Sequence, residues 1–298
     1  MPCAIACASS KCFSPPRYEN VTRAAASLAM SQSAASGSLR ELESQFEVKL
    51  FDRLGKRLRL SELGQQLRPQ AENLLEQARA LEHALAGEDV IGRLQVGATL
   101  TIGNYIAVSM IADFRQQHPQ ADIALRVANT EAIAEQVAHY ELDMGLIEGE
   151  LQHPELDIVH WRADELVVFA APDHPLATSE SLSDADLLSL PWIVREIGSG
   201  TRQAFERAMH GILTDLHIAM ELQHTEAIKR AVEAGLGVGC LSRVCLADAF
   251  KRGSLVPLAV PARDFRREWF LITHREKFHS AGLREWIALC QTRWSSTS

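Results

Sequence analysis

The sequence predicts a multi-domain α/β chain: an N-terminal winged helix-turn-helix, a long linker helix and a two-lobed α/β domain. Three observations carry that prediction. Charge is divided unevenly along the chain, leucines recur at heptad spacing between 60 and 85, and strand-like and helix-like stretches alternate from residue 92 onward. A chain of 298 residues is long for one core and suits two or three domains. At 47% hydrophobic and 23% charged its composition is that of an ordinary globular protein.

The net charge of −8 conceals the division. Residues 1–68 hold ten Lys/Arg against six Asp/Glu, a net of +4, which leaves −12 for the remainder. The first segment can attract phosphate and the rest cannot. No apolar run approaches the roughly 18 residues needed to cross a bilayer. "MPCAIACASSKC" lacks the basic start and apolar run of a signal peptide, so a cytoplasmic location is expected. Cys3, Cys7, Cys12, Cys240, Cys245 and Cys290 contain no C-x-x-C pair and read as reduced, mostly buried thiols.

Taken in order, "VTRAAASLAM" has helical composition with Thr22 placed to cap it. Met30 makes the turn and Ser31 is a good N-cap for a second helix running to about Phe46. Leu39, Leu42 and Phe46 share one face of that helix, and Val48, Leu50 and Phe51 complete an apolar cluster. "RLGKRLRLS" alternates basic and apolar residues around Gly55, the pattern of a small hairpin. Two short helices followed by a basic hairpin make a winged helix-turn-helix.

Ser61 starts the long helix. Leu60, Leu67, Leu74 and Leu81 fall seven apart with Ala71, Ala78 and Leu85 between them, a seam suited to pairing with a second copy. Pro69 lies within it, and "AGED" is a plausible linker at its end. From Gly92 the strand–helix alternation predicts parallel α/β sheets. It runs twice, giving a first lobe at about 92–161 plus 264–294 and a second at about 162–263. The expected domains are therefore 1–60, 61–90 and 91–298. Ligands of α/β sheets sit at the carboxyl ends of strands, here in a cleft between lobes.

The opening of the second helix is unusually bare. A helix enters the major groove only if its leading face is slim. Ser31, Gln32, Ser33 and Ser36 supply short donors and acceptors, and the helix start favours phosphate. Arg40, Arg53, Lys56, Arg57 and Arg59 flank them as phosphate contacts. Double-stranded DNA is thus the expected partner.

Three junctions mark the cleft. In "VGATLTIGN", Thr99, Thr101, Ile102, Gly103 and Asn104 sit where a strand enters a helix. "REIGSGTRQ" repeats this with Ser199, Gly200, Thr201 and Arg202, and "QHTEAIKR" places Thr225 at a third helix start. Facing helix starts can clamp a small anion. Glu148 and Glu196 beside them can bind ligand hydrogens or an arginine. Enzyme motifs fail: "GLGVG" follows a helix rather than a strand, and G-x-S-x-G, H-E-x-x-H and P-loop patterns are missing. His153, His160, His274 and His279 read as surface residues, and Asp143 as a structural residue at a strand start. No catalytic set, metal or cofactor is expected.

These residues resemble the LysR-type transcriptional regulators. "TRAAASLAMSQSAASGSLRELESQFEVKLFDRLGKRLRLSELG" is similar to that family's DNA-binding signature, and "GATLTIGNY", "IEG", "DELVVFAAPDHPLA", "GSGTR" and "GLGVGCLS" to its effector domain. The resemblance spans about 17–294. It implies a periplasmic-binding-protein-like effector domain, antiparallel pairing of linker helices, homodimers or homotetramers on palindromic promoter sites, and a small effector between the lobes. By that likeness Gln32, Ser33, Ser36, Arg40 and Arg53 fall at DNA-contact positions, and Thr99, Thr101 and Thr201 at effector positions. A solute-binding protein or enzyme on the same two-lobed fold is the alternative. Gly37 stands where the family often carries Arg. Residues 1–16, with Pro15-Pro16, cannot form the family's first helix. The chain is expected to join the family near Arg17, through a frameshift or misassigned start, with a genuinely divergent terminus as the alternative.

Overall fold

The computed structural model describes residues 31–54, 57–86 and 91–294. The expected helix beginning at Thr22, the first 16 residues and Cys3, Cys7 and Cys12 lie outside them. The chain divides into two compact units: the residues before Ile91 with His139–Glu141 and Lys277–Ala281, and a larger unit of Ile91–Ala138, Leu142–Glu276 and Gly282–Ser298.

In the smaller unit, helix α1 covers Gln32–Gln45. Ser31 caps it from an extended conformation, its hydroxyl accepting from the Ala34 amide at 3.2 Å. Strands β1 (Phe51–Leu54) and β2 (Arg57–Leu60) pair antiparallel, Phe51 opposite Leu60. Glu43 ties the hairpin to α1 by accepting from the Leu50 and Phe51 amides at 2.8 and 3.1 Å. Leu39 and Leu50 are buried, but Phe46 is not part of their cluster: it is 56% exposed. It is the C-cap, where the backbone has left helical geometry and no longer aims its side chain along the Leu39 face. Gly37 sits mid-helix with nothing among the described residues within 4 Å of where a Cβ would stand. Gly37→Ala is therefore expected to stabilise this unit by about 0.5–1 kcal/mol. A urea midpoint that fails to rise contradicts this.

Helix α2 spans Glu62–Ala86 and accommodates Pro69. The Ser61 hydroxyl accepts from the Gly64 amide at 3.0 Å and donates to the Lys49 carbonyl at 2.6 Å. Leu67, Leu74, Leu81 and Leu85 are all exposed, forming an apolar stripe.

The larger unit contains strands β3 (Arg93–Thr99), β4 (Asp122–Ala128), β5 (Met144–Glu148), β6 (Leu156–Ala170), β7 (Pro191–Arg195), β8 (His217–Leu222), β9 (Val238–Ser242), β10 (Val256–Leu258) and β11 (Arg266–His274). Their order is β4-β3-β5-β11-β6-β9-β7-β8, with β10 also on β6. Helix α3 (Leu100–Ile102) continues through a π turn, Gly103–Ala107, into α4 (Val108–Gln117). The other helices are α5 (Thr130–Ala138), α6 (Asp184–Ser189), α7 (Gly200–Ala208), α8 (Thr225–Glu233), α9 (Arg243–Arg252) and α10 (Ala281–Arg293).

Parallel pairing holds at each side, β4-β3-β5 and β8-β7-β9. At the centre it does not: β6, β10 and β11 pair antiparallel. Parallel neighbours need a crossover helix, and the connections entering β6 and β11 contain none. Strand β6 serves both lobes, since residues 156–165 pair with β11 and 166–170 with β9 and β10. Its ladder with β11 shifts register between Trp269 and Phe270, leaving Trp161 as the extra residue.

Apolar clusters cover both faces of each lobe. Leu94, Met110, Phe114, Trp269 and Trp286 sit on one face of the first, Ile133, Val137 and Ile272 on the other. The second is built on Trp192, Phe205 and Met209, and on Phe169, Ile228 and Leu246. Cys240, Cys245 and Cys290 are free and buried.

Candidate functional site

The carboxyl ends of β3 and β5 in the first lobe and the start of α7 in the second converge on one buried carboxylate, Glu148. Its Oε1 accepts from the backbone amides of Thr101 at 2.8 Å and Ile102 at 3.3 Å. Its Oε2 accepts from the Thr201 hydroxyl at 3.3 Å and from Arg267 Nη1 at 2.8 Å. Arg267 also donates through Nε to Asp164 at 2.7 Å, to the Thr201 hydroxyl at 2.9 Å and to that of Thr101 at 3.4 Å. Asp164 accepts a further bond from Ser242 at 2.8 Å. Groups from both lobes and from the strand β6 that joins them thus meet in one network.

The network is dry: the side chains of Arg267, Glu148 and Asp164 are 0%, 2% and 4% exposed. Burial alone pushes the Glu148 carboxyl up, but Arg267 and the threonine donors outweigh it and hold it below the usual carboxylate range. Burial likewise disfavours the charged guanidinium, and Glu148 with Asp164 more than compensate. Two carboxylates against one arginine leave one net negative charge, distributed over many donors. Cys245 lies beside it, its thiol pushed up to about 12 by burial and then by Glu148.

The structure corrects the expectation of vacant anion seats at the helix starts. The amides of Thr101 and Ile102 are already occupied by Glu148. Thr99 is buried with a long bond to the Leu146 carbonyl, 3.5 Å. Ser199 caps α7 by accepting from the Thr201 amide at 3.2 Å, and the Gly200 amide donates to the Thr130 hydroxyl at 3.3 Å. Gly103 is in the π turn, packed on Val127. Of the expected threonines, Thr225 is the one whose buried hydroxyl has no partner among the described residues. Glu196 is clamped by Arg195 at 2.7 and 2.9 Å.

Arg267 is not among the residues that the sequence reading singles out. The signal is present: in β11, exposed Arg266 and Glu268 alternate with buried Arg267 and Trp269. Period-two reading puts Arg267 on the inward face with the tryptophan. Asp164 and Thr130 are likewise missed. Of the histidines, His160 is exposed and bonded to Glu268 at 2.6 Å, but His274 is buried, at the end of β11 where both faces of the strand are covered. Asp143 accepts from the Gln95 amide at 2.6 Å, a structural contact as expected. "GLGVG" connects α8 to β9.

Two further sets of contacts hold the lobes together. On one rim, Tyr105 of the π turn donates to Glu226 of α8, and Lys229 donates to the same carboxylate at 2.7 Å. Burial and that glutamate push the Tyr105 phenol far up. On the other, the Glu131 amide donates to the Gly198 carbonyl at 3.3 Å, and Gln203 exchanges bonds with the Glu150 backbone at 2.8 and 3.0 Å. An open cleft of about 360 Å³ lies there, bordered by Glu131, Glu135, Glu150, Glu206, Arg202 and His153. Four glutamates at its edge disfavour an anion in this open cleft, whose lining does not include the cradle residues Thr101, Ile102, Thr201 and Arg267.

In the smaller unit, Ser31 and Ser33 are exposed at the start of α1 with hydroxyls 3.0 Å apart, and Ser36 follows half-buried. Arg40 is exposed, its Nε donating to the Ser36 carbonyl at 3.1 Å. Lys56 and the side chains of Gln32, Arg53 and Arg57 lie outside the described residues.

Two family models match the chain: "LysR substrate binding domain" over residues 87–295 and "Bacterial regulatory helix-turn-helix protein, lysR family" over 16–65. The chain belongs to the LysR family. It is a DNA-binding transcriptional regulator with an effector-binding domain. This LysR regulator is 42% identical over 271 residues to the Escherichia coli K12 HTH-type transcriptional regulator YeiE, covering 91% of this chain and 92% of that one. It is 33% identical over 263 residues to the RuBisCO operon transcriptional regulator of Allochromatium vinosum, covering 88% and 87%. Among solved structures, the regulatory domain of Synechocystis CcmR in complex with 2-PG aligns with a TM-score of 0.64 at 27% identity, over 69% of this chain and 98% of that one. A full-length OxyR variant from Pseudomonas aeruginosa shares the fold, with a TM-score of 0.72 at 22% identity over 97% and 92%.

Proposed function

We propose that this LysR regulator is a cytoplasmic, non-enzymatic sensor of a small oxyanion or carboxylate. The effector binds at the cleft floor among Thr99, Thr101, Ile102, Gly103, Glu148, Ser199, Gly200, Thr201 and Thr225. The observation that carries the reading is the buried cradle in which two amides, a hydroxyl and a guanidinium converge on a single carboxylate. Such donor sets suit an oxyanion and bridge both lobes, so occupancy biases their closure. The similar regulatory domain of CcmR is in complex with a ligand, 2-PG.

DNA is contacted by Ser31, Gln32, Ser33, Ser36 and Arg40 of α1, with Arg53, Lys56 and Arg57 at the hairpin. The exposed leucine stripe of α2 pairs subunits into a dimer or tetramer, which sets the spacing of half-sites. No helix among the described residues is long and apolar enough to cross a membrane.

A gel shift on the regulator's own upstream region tests the DNA reading. Binding is expected to weaken steeply with salt, by roughly 10³-fold or more between 50 and 200 mM if six or more phosphates are contacted. Folded protein that gives no shift at low salt refutes it. For the cleft, a thermal-shift screen of small oxyanions and carboxylates is expected to give hits that Thr201→Val abolishes; hits indifferent to that change refute the placement.

A further inference from the structure

We propose that Glu148 is a built-in occupant of the effector seat: its carboxylate fills the cradle of Thr101, Ile102, Thr201 and Arg267, and a bound oxyanion takes its place. The inference rests on the reading that the cleft takes an oxyanion.

The first support is chemical equivalence. Glu148 presents to the cradle two oxygens of one planar anion, and each is held as a ligand carboxylate would be held. The second is charge. Arg267 already faces two buried carboxylates, so adding an anion while Glu148 stays would crowd like charges in a dry site. Exchange leaves the charge of the seat unchanged. The nearby cations offer no other place, because each is paired: Arg195 with Glu196, Lys229 with Glu226, and Arg202 with Glu206 and Glu221. The third is position. Glu148 ends β5 and is followed by Gly149 at φ +82, the left-handed region open to glycine, where the chain leaves the sheet. Its backbone carbonyl abuts Gly200 and its Oε2 accepts from Thr201 at 3.3 Å, both on the second-lobe helix α7, so release of the side chain is coupled to parting of the lobes. Effector entry and lobe opening are therefore one event. The empty regulator is held closed on its own side chain, and specificity is for singly charged oxyanions no larger than a carboxylate.

The test uses the full chain with Glu148→Gln and Glu148→Ala, titrated with formate and nitrate and read by thermal midpoint and calorimetry. Vacating the seat is expected to lower the formate concentration needed for half-maximal stabilisation at least tenfold relative to wild type. Thr201→Val in the Glu148→Ala background is expected to remove the effect. If the wild type binds an oxyanion through Thr201 but neither variant binds it more tightly, the exchange is wrong and the oxyanion reading stands. If wild type and both variants bind no oxyanion, both are wrong. Should Glu148→Ala fail to fold, Glu148→Gln carries the comparison through charge alone, because a neutral amide is held less tightly by Arg267 and the cradle donors than a carboxylate and so yields more readily to formate.

Discussion

Arg267→Met is expected to lower the stability of the effector domain by about 3–5 kcal/mol, because it strands two buried carboxylates without their cation. For a domain near 200 residues this is roughly 10 °C in melting midpoint. The pH dependence should also reverse. In the wild type the folded pKa of Glu148 is depressed. Its contribution is therefore complete above the unfolded carboxylate's pKa of about 4.3 and is lost as pH falls through the lower folded value. Without Arg267 the upward push of burial is left to dominate, so the variant should gain stability as pH falls from 8 to 5. Removing all three charges together, with Glu148→Leu and Asp164→Leu added, should recover most of the loss. A single variant that melts like the wild type across this pH range would sink the account of the network.

Gly200→Ala is the second large effect. A Cβ there would stand 1.9 Å from the Glu148 carbonyl oxygen and 2.5 Å from its carbon. Backbone cannot rotate aside as a side chain can, so α7 must retreat from β5. The cost is about 1–3 kcal/mol of strain. Thr201, next in α7, is drawn off the cradle, and oxyanion affinity should fall at least about tenfold, equivalent to 1.4 kcal/mol. Each lobe keeps its own core, so circular dichroism should be unchanged. Wild-type melting and wild-type binding together would refute the close approach of the lobes.

Much of this is legible in the sequence because it follows from local rules. Ser31 caps as its position implies, the hairpin closes where basic and apolar residues alternate, and the Thr101 and Thr201 junctions fall where strands give way to helices. What local rules do not reach is pairing across the chain. Thr101, Glu148, Asp164, Thr201 and Arg267 are far apart in sequence, and only the sheet order brings them together. Arg267 looks like one charge in a basic run, "RR", until its neighbours fix which face it occupies. The occupied amides are a similar case. A helix start implies free N–H groups, but a distant glutamate can take them.

The lobes are joined by β6 and β11, which are hydrogen-bonded to each other from 156 to 165 along the crossing. A zipped two-stranded ribbon resists being stretched or sheared, because either motion breaks its ladder, but it twists at little cost. The bulge at Trp161 concentrates that twist at one point. Motion between the lobes therefore has a single soft direction, a torsion about the ribbon. The domain works as a torsion hinge whose pivot is covalent and whose catch is Glu148.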